Sequence, residues 1–248
     1  MNPHASLDKC LAFLDCQIDP KTAPAPRPKP LRYRAVTISR QSGARADEVA
    51  EKLVDFLQAN APNRPCPWTT FDRNLVEKVL EDHHLPKRLA QFMPEDHVSD
   101  ISDAMDELFG LHPSSWTLVE QTAETILRLA QLGNVIIIGR GASLVTANLD
   151  HVFHVRLVAS VEKRAEYIQE SEKITRKAAI QMITREDRAK ARYVSRHFGA
   201  DIADPLLYHL VINTEQVGFE SAARIIGYAM LGRAEMDAEG SVKKATRP

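Results

Sequence analysis

The stretch Ala35–Glu51, AVTISRQSGARADEVAE, decides how the rest of the chain is interpreted. Ala35–Ile38 is a short run of mainly β-branched residues, which predicts a buried strand. The loop Ser39–Ala46 follows, and a helix opens at Asp47 or Glu48. A strand that runs into a loop and a helix N-terminus presents free N–H groups and the positive end of a helix dipole. Together these favour phosphate binding.

The loop departs from the Walker A motif, G-x-x-x-x-G-K-[ST]. With Gly43 inside the loop, the two glycines of the motif fall at Arg40 and Arg45. The lysine falls at Ala46 and the Mg²⁺-binding hydroxyl at Asp47. By pattern alone, an ordinary strand–loop–helix unit of an α/β domain is as well supported as a phosphate loop.

The chain has 248 residues, of which 44% are hydrophobic and 26% charged, as in ordinary globular proteins. Its net charge of −1 gives no global field for a nucleic-acid polymer, and we expect no such partner. The charges are unevenly distributed along the chain. Glu81–Glu107 has a net charge of −6, and Arg156–Arg196 has a net charge of +5. The basic region is the candidate anion binder; the alternative is a solvated helical face.

Three cysteines, Cys10, Cys16 and Cys66, follow no metal or disulfide spacing, which predicts reduced thiols. No apolar run approaches the ~20 residues of a membrane span, and the N-terminus has no signal-peptide pattern. We therefore expect a cytoplasmic protein with no membrane partner.

Composition divides the chain into three parts. Residues 1–30 hold a predicted amphipathic helix, Ala5–Ile18, and a proline-rich linker, Pro20–Pro30, whose five closely spaced prolines favour an extended segment. The main domain spans residues 31–232, and a polar tail spans residues 233–248. The N-terminal segment docks back on the domain or binds a protein partner, and the sequence leaves both open.

The main domain alternates strands with helices, which predicts a three-layer α/β/α fold with a five-stranded, mostly parallel sheet. The predicted strands after Ala35–Ile38 are Trp68–Phe71, Val135–Ile138, His151–Val158 and Leu206–Ile212. The predicted helices after the first are Asn74–Leu80, Ile101–Phe109, Trp116–Leu132, Val161–Glu170, Thr175–Met182 with its continuation to Tyr193, and Glu220–Leu231.

Polar residues follow three of these strands: Ser39–Gly43, Asp72–Arg73 and Gly139–Arg140. Because the carboxyl ends of parallel strands share one sheet edge, these residues should converge there. Arginine between glycines suits bidentate binding of phosphate. Asp72 has a simpler alternative, which is to cap the helix Asn74–Leu80.

The run Arg185–Tyr193, REDRAKARY, places Arg185, Arg188 and Arg192 on one helix face. Three stacked arginines repel one another unless an anion or carboxylates pair with them. The anion is one hypothesis, and ion pairs with Glu186, Asp187 or other acidic residues are the alternative.

Five motifs in this order resemble the cytidylate-kinase-like branch of the P-loop nucleoside monophosphate kinases. They are ISRQSG (38–43), FDR (71–73), VIIIGRG (135–141), the run Arg185–Tyr193 and VINT (211–214). The resemblance spans about Tyr33–Met230. It implies a nucleotide kinase that transfers a phosphoryl group from ATP, with Mg²⁺, to a nucleoside monophosphate or a related small molecule.

The resemblance also implies roles for individual residues. Around the ATP phosphates it places Ser39, Arg40, Gln41, Ser42, Gly43, Ala44, Arg45, Ala46, Asp47 and Glu48, with Asp47 as the candidate Mg²⁺ ligand. Beside the acceptor it places Asp72, Arg73 and Arg140. For lid and transition-state charge it implies Arg140, Arg185, Arg188 and Arg192, since phosphoryl transfer needs positioning and positive charge.

The loop differs from the glycine-rich GSGG form of the family, because it reads Gly43-Ala-Arg-Ala46. Ala44 and Ala46 carry Cβ atoms where close phosphate approach or positive φ is needed. Asp47 either helps to hold Mg²⁺ or repels the nucleotide, and Arg45 is a candidate replacement for the lysine. The alternative to an active kinase is therefore an impaired, kinase-like module that binds a nucleotide or anion and has a regulatory role.

Overall fold

The computed structural model describes residues 11–14, 16, 33–61, 66–72 and 117–231. The strands are β1 (Ala35–Arg40), β2 (Thr69–Phe71), β3 (Val135–Ile138), β4 (Val152–Val158) and β5 (Leu210–Asn213). The helices are α1 (Ala46–Asn60), α2 (Thr117–Leu132), α3 (Ala142–Val145), α4 (Val161–Glu172), α5 (Arg176–Phe198), α6 (Thr214–Val217) and α7 (219–231). A 3₁₀ turn spans Pro205–Leu207.

The five strands form one sheet in the order β2-β3-β1-β4-β5, and every pairing is parallel. Alternate strand residues bury opposite faces. Val135, Ile137 and Phe71 pack with α2 on one face. Val36 and Ile38 pack with α1 and α7 on the other face. The predicted three-layer α/β/α fold is thus confirmed, and the sheet is parallel throughout.

Several element boundaries differ from those predicted. β1 continues to Arg40, so Ser39 and Arg40 are strand residues and not loop residues. β5 begins at Leu210, because Pro205 starts a 3₁₀ turn that Asp204 caps through the Leu206 N–H. α5 runs without a break from its Thr175 cap to a left-handed Gly199.

Two of the three cysteines form a disulfide, Cys16–Cys66, with Cα atoms 5.8 Å apart. The prediction of reduced thiols is therefore wrong for this pair. The residues lie 50 positions apart, so no local spacing could reveal their contact. Phe13 and Leu14, next to Cys16, are fully buried against Phe71 and α2. The cytoplasmic location, which depended partly on reduced thiols, stays a prediction.

Some predictions lie outside the described residues: Arg73, the helices Asn74–Leu80 and Ile101–Phe109, the linker Pro20–Pro30 and the tail 233–248. Within the described residues, no helix has the length and apolarity needed to cross a membrane.

Candidate functional site

The carboxyl ends of β1 and β3 and one face of α5 enclose a cavity of about 530 Å³, which we call the central cleft. A parallel sheet places such clefts at the carboxyl edge of its strands. The cleft is lined by the β1–α1 loop (residues 41–45), by Gly139–Gly141 and by α5 residues including Glu186, Lys190 and Tyr193. Two of the three predicted strand ends thus meet in one place.

The β1–α1 loop turns through two left-handed residues, Gly43 (φ +80°) and Arg45 (φ +60°). A Cβ at position 43 would lie 2.8 Å from the Arg164 carbonyl oxygen, so glycine is required there on steric grounds as well. The positive φ expected at Ala44 or Ala46 is absent from both positions. The alanines therefore add Cβ atoms to the loop without backbone strain.

Ser42 is held by the two helices that follow β4. Its N–H donates to Asp187 Oδ1 (2.8 Å), and its hydroxyl donates to Glu186 Oε2 (2.5 Å). Asp187 also pairs with Arg164 Nη1 (2.6 Å), and the same nitrogen donates to the Ser42 carbonyl oxygen (3.1 Å). Since Arg164 is buried, this network fixes the loop against α4 and α5.

Lys190 brings a cation to the same loop. Its ammonium group donates to Ser42 Oγ and lies 3.5 Å from Asp187 Oδ1 and 4.0 Å from Glu186 Oε2. Burial, and after it the positive charge of Arg40, lowers the pKa of Lys190, while the two carboxylates act in the opposite direction. Lys190 is thus a partly desolvated cation facing the cleft.

The guanidinium group of Arg45 has other partners. Its Nε donates to Glu48 Oε1 (3.1 Å), and its Cζ lies 4.1 Å from the Phe219 ring centre and 5.1 Å from the Tyr167 ring centre. Burial, and next the charge of Glu48, raises the pKa of Tyr167 to about 12. The Arg45 guanidinium group thus pairs with Glu48 and packs against the rings of Tyr167 and Phe219. The structure therefore does not place Arg45 as a replacement for the phosphate-binding lysine of the Walker A motif. Glu48 faces Arg45 rather than the cleft.

The turn after β3 carries Arg140 in a left-handed conformation (φ +54°) between two glycines that also have positive φ. Arg140 lines the cleft, and its charge opposes the rise that burial causes in the pKa of Tyr193. Arg40 packs over the bare Cα of Gly139, where a Cβ would overlap its guanidinium group. Two arginines from neighbouring strands therefore enter the cleft together.

Ser39 and Gln41 are tied to β4 and to the segment before β5. Ser39 Oγ accepts from Arg156 Nη1 (2.9 Å) and from the Tyr208 hydroxyl (3.2 Å). Gln41 Oε1 accepts from the Ala159 N–H (3.0 Å). Arg156 is buried. These two predicted phosphate-loop residues have structural partners in addition to lining the cleft.

Asp47 lies in the first turn of α1 at the edge of the cleft, and part of its surface is exposed to solvent. The protein around the Asp47 carboxylate desolvates it in part, which raises its pKa; the charge of Arg40 lowers this pKa, and the carboxylates of Asp72 and Glu48 raise it further. Asp72 follows β2, as predicted, but it is not among the residues that line the central cleft. Among the described residues, no group of three or more His, Cys, Asp or Glu could hold a metal ion.

Mg²⁺ in phosphoryl-transfer sites is usually held by one or two carboxylates together with substrate phosphates. An exposed carboxylate beside the β1–α1 loop fits that arrangement, so Asp47 suits the predicted Mg²⁺ role, which stays a prediction.

The predicted arginine stripe exists, but it faces elsewhere. Arg185, Arg188 and Arg192 are exposed together on α5 and line a separate surface groove with Thr184. The structure does not bring them to the central cleft. Their proximity on one helix face was correctly predicted, whereas the face turned toward the cleft is the opposite one.

A signal for the correct face was present in the sequence. Ala179, Ile183 and Val194 are the buried apolar residues of α5. Glu186 and Lys190 continue this stripe at spacings of three and four residues. The apolar stripe, rather than the arginine count, indicates which charges enter the cleft.

A family model described as the cytidylate kinase-like family matches residues 35–216. The cytidylate kinase of Methanocaldococcus jannaschii is 25% identical over 164 residues, which cover 65% of this chain and 92% of that protein. A crystal structure of an uncharacterized protein from Eubacterium ventriosum superposes with a TM-score of 0.62 at 16% identity. It covers 80% of this chain and 98% of that chain, and at this identity it supports the fold alone.

Proposed function

The chain belongs to the cytidylate kinase-like family, and from that premise we propose that it is an ATP-dependent phosphotransferase whose acceptor is a nucleoside monophosphate or a related phosphorylated small molecule. The observation that carries the proposal is the central cleft, where the β1–α1 loop faces Arg140, Arg40 and Lys190.

The charges of the cleft suit phosphoryl transfer. The reaction needs in-line positioning and positive charge over the phosphoryl oxygens, with little covalent participation by the protein. Arg40 and Arg140 enter from adjacent strands, so one anionic group can contact both guanidinium groups. A planar guanidinium binds two phosphate oxygens at once, which orients the acceptor as well as attracting it. Bound Mg²⁺ would supply further charge neutralisation, with Asp47 as its protein ligand.

The direct test measures ADP formation from ATP and Mg²⁺ with CMP, dCMP, UMP, AMP or GMP as the acceptor. Arg140→Ala should lower kcat by roughly a hundredfold or more, by analogy with loss of one charge-stabilising donor. Its thermal stability should change little. Arg224→Ala is the matched control, because Arg224 is exposed on α7. Wild-type turnover in the Arg140 variant would contradict the proposal.

A second function is favoured by a specific observation. The Ser42 N–H and hydroxyl already donate to the carboxylates of Asp187 and Glu186, and Ala46 stands at the lysine position. A module that binds nucleotide without turnover would suit such a loop. This second function predicts that ATP stabilises the fold and so raises its melting temperature, because a hundredfold excess of ATP over its Kd adds roughly 2.7 kcal/mol to the free energy of unfolding. It also predicts that no acceptor leads to ADP formation. Ready turnover with any monophosphate would exclude this second function.

A further inference from the structure

The β1–α1 loop (residues 41–45) holds one cationic side chain, that of Arg45, and the position of the Walker A lysine carries none. Ala46, at the lysine position of the Walker A motif, is buried and carries only a methyl group. Arg45, the adjacent candidate, is engaged by Glu48 and by the rings of Tyr167 and Phe219. A triphosphate on this loop would therefore find the only cationic side chain of residues 41–45 already paired with Glu48, and the N–H groups of Gln41, Ser42 and Ala44 already bonded within the protein.

Lys190 fills this gap from another element. Its ammonium group contacts Ser42 Oγ, which belongs to the loop, although the two residues are 148 positions apart. It lies on the face of α5 that lines the cleft, and its side chain is 26% exposed, so the ammonium group is accessible from the cleft without being freely solvated.

We infer that Lys190 supplies from α5 the phosphate-contacting cation that the β1–α1 loop lacks. This inference rests on the proposed function, since it assigns a residue to the triphosphate of the same cleft. An ammonium group is a compact charge with three donors, so it can keep its bond to Ser42 and still donate to a phosphate oxygen. The surroundings support this role, because burial and Arg40 disfavour the charged form of Lys190 and an added anion would offset both effects.

The competing explanation is that Lys190 only neutralises Glu186 and Asp187. Both explanations predict weaker anion binding when the lysine is removed, because unpaired carboxylates would then repel phosphate. They differ when a carboxylate is removed together with the lysine, which restores the net charge beside the loop.

The experiment measures the Kd of ATP and of inorganic tripolyphosphate, each with Mg²⁺, by titration calorimetry. Tripolyphosphate lacks a base and reports on the phosphate contacts alone. Lys190→Met should weaken both ligands by about ten- to a hundredfold, the range expected for loss of a charge-assisted hydrogen bond. Lys190→Arg should retain most of the affinity. Lys177→Met, an exposed lysine in the first turn of the same helix, is the matched control and should bind as wild type.

The double variant Glu186→Gln/Lys190→Met decides between the two explanations. Binding that stays weak in the double variant supports a direct contact with phosphate. Recovery to within about threefold of wild type would overturn the inference and assign Lys190 to charge balance. Equal affinity of wild type and Lys190→Met would also overturn it. Wild-type protein that binds neither ligand would instead refute the proposed function, so the two failures are distinguishable.

Discussion

The two faces of α5 both carry charged side chains, but the charges differ in sign and have different partners. The outer face presents Arg185, Arg188 and Arg192 to solvent around a surface groove. The inner face carries Glu186, Asp187 and Lys190, all bonded to Ser42 of the β1–α1 loop. The outer face has more cations, yet the inner face touches the cleft. The number of charges on a helix therefore says less about a site than the direction in which each charge faces.

The largest effect should come from the loop residue that contacts α4. Gly43→Ala should destabilise the fold by about 3 kcal/mol, because a Cβ would combine left-handed strain with a 2.8 Å approach to the Arg164 carbonyl oxygen. Urea unfolding provides the measurement. Gly199→Ala is the matched control at φ +64° in open space and should cost about 1 kcal/mol, the left-handed strain alone. Equal costs would show that the loop is not packed tightly against α4.

The next effect concerns the inner face itself. Asp187→Ala removes the partner of the buried Arg164 guanidinium and of the Ser42 N–H. We expect about 2.5 kcal/mol of lost stability, below the usual value for a fully buried pair because the Asp187 side chain is 27% exposed. Denaturant midpoints provide the measurement. Arg188→Ala, on the outer face, is the control. If it lowers the free energy of unfolding as much as Asp187→Ala does, the inner face is not more important for stability than the outer face.

A third prediction compares a buried histidine of the sheet with one near the end of α5. Burial lowers the pKa of His154 to about 4, with a further contribution from His209, and its ring bonds to Thr37 Oγ1 (2.8 Å). The unfolded chain binds this proton near pH 6.5, whereas the folded chain does not bind it until about pH 4. Stability should therefore be complete above pH 6.5 and fall as the pH decreases, by about 2 kcal/mol at pH 5.

Melting temperatures between pH 7 and pH 4 measure this loss. His154→Gln should flatten the profile. His197→Gln should change it less, because burial and Arg196 lower the pKa of His197 but its side chain is only partly buried. An unchanged profile in His154→Gln would assign the acid sensitivity to other groups.

The smallest effect should come from the outer face. The combined Arg185→Gln, Arg188→Gln and Arg192→Gln variant should change stability by less than about 0.5 kcal/mol, because exposed side chains contribute little. Triphosphate affinity, measured by calorimetry, should stay within about threefold of wild type. A tenfold loss of triphosphate affinity would show that these arginines contribute to the binding site and would contradict the assignment of the inner face of α5 to the cleft.

The fold was predictable because its signals are local. Val135–Ile138 is buried on both faces, as four consecutive β-branched residues indicate, and it occupies the second position in the sheet. Gly133 ends α2 with φ +76°, as its place after an apolar helix predicts. Boundaries were less predictable. Ser39 and Arg40 extend β1 because they pair with Arg156 and Leu157 on β4, and such a contact leaves no mark in the local sequence.

The site was predictable in part, for the same reason. Parallel strands oblige Gly43 and Arg140 to meet at one edge, so the sequence alone could place them together. Lys190, Arg164 and Arg156 enter only through contacts that span more than a hundred residues to Ser42 and Ser39. The apolar stripe of α5 indicates the face on which Lys190 lies, but the partners of all three side chains are decided only by their neighbours in space.

The amino-acid sequence by itself therefore determined the parallel sheet, the loop after β1 and the presence of Arg140 at the carboxyl edge, because hydrophobic periodicity and glycine placement act over a few residues. Tertiary structure alone decided which partners Glu186, Asp187 and Lys190 meet on that loop and that Cys16 joins Cys66. These outcomes depend on how α5 packs on α4 beside the loop and how the N-terminal residues pack against Phe71 and α2, because contacts between segments far apart in the chain are specified by no local spacing.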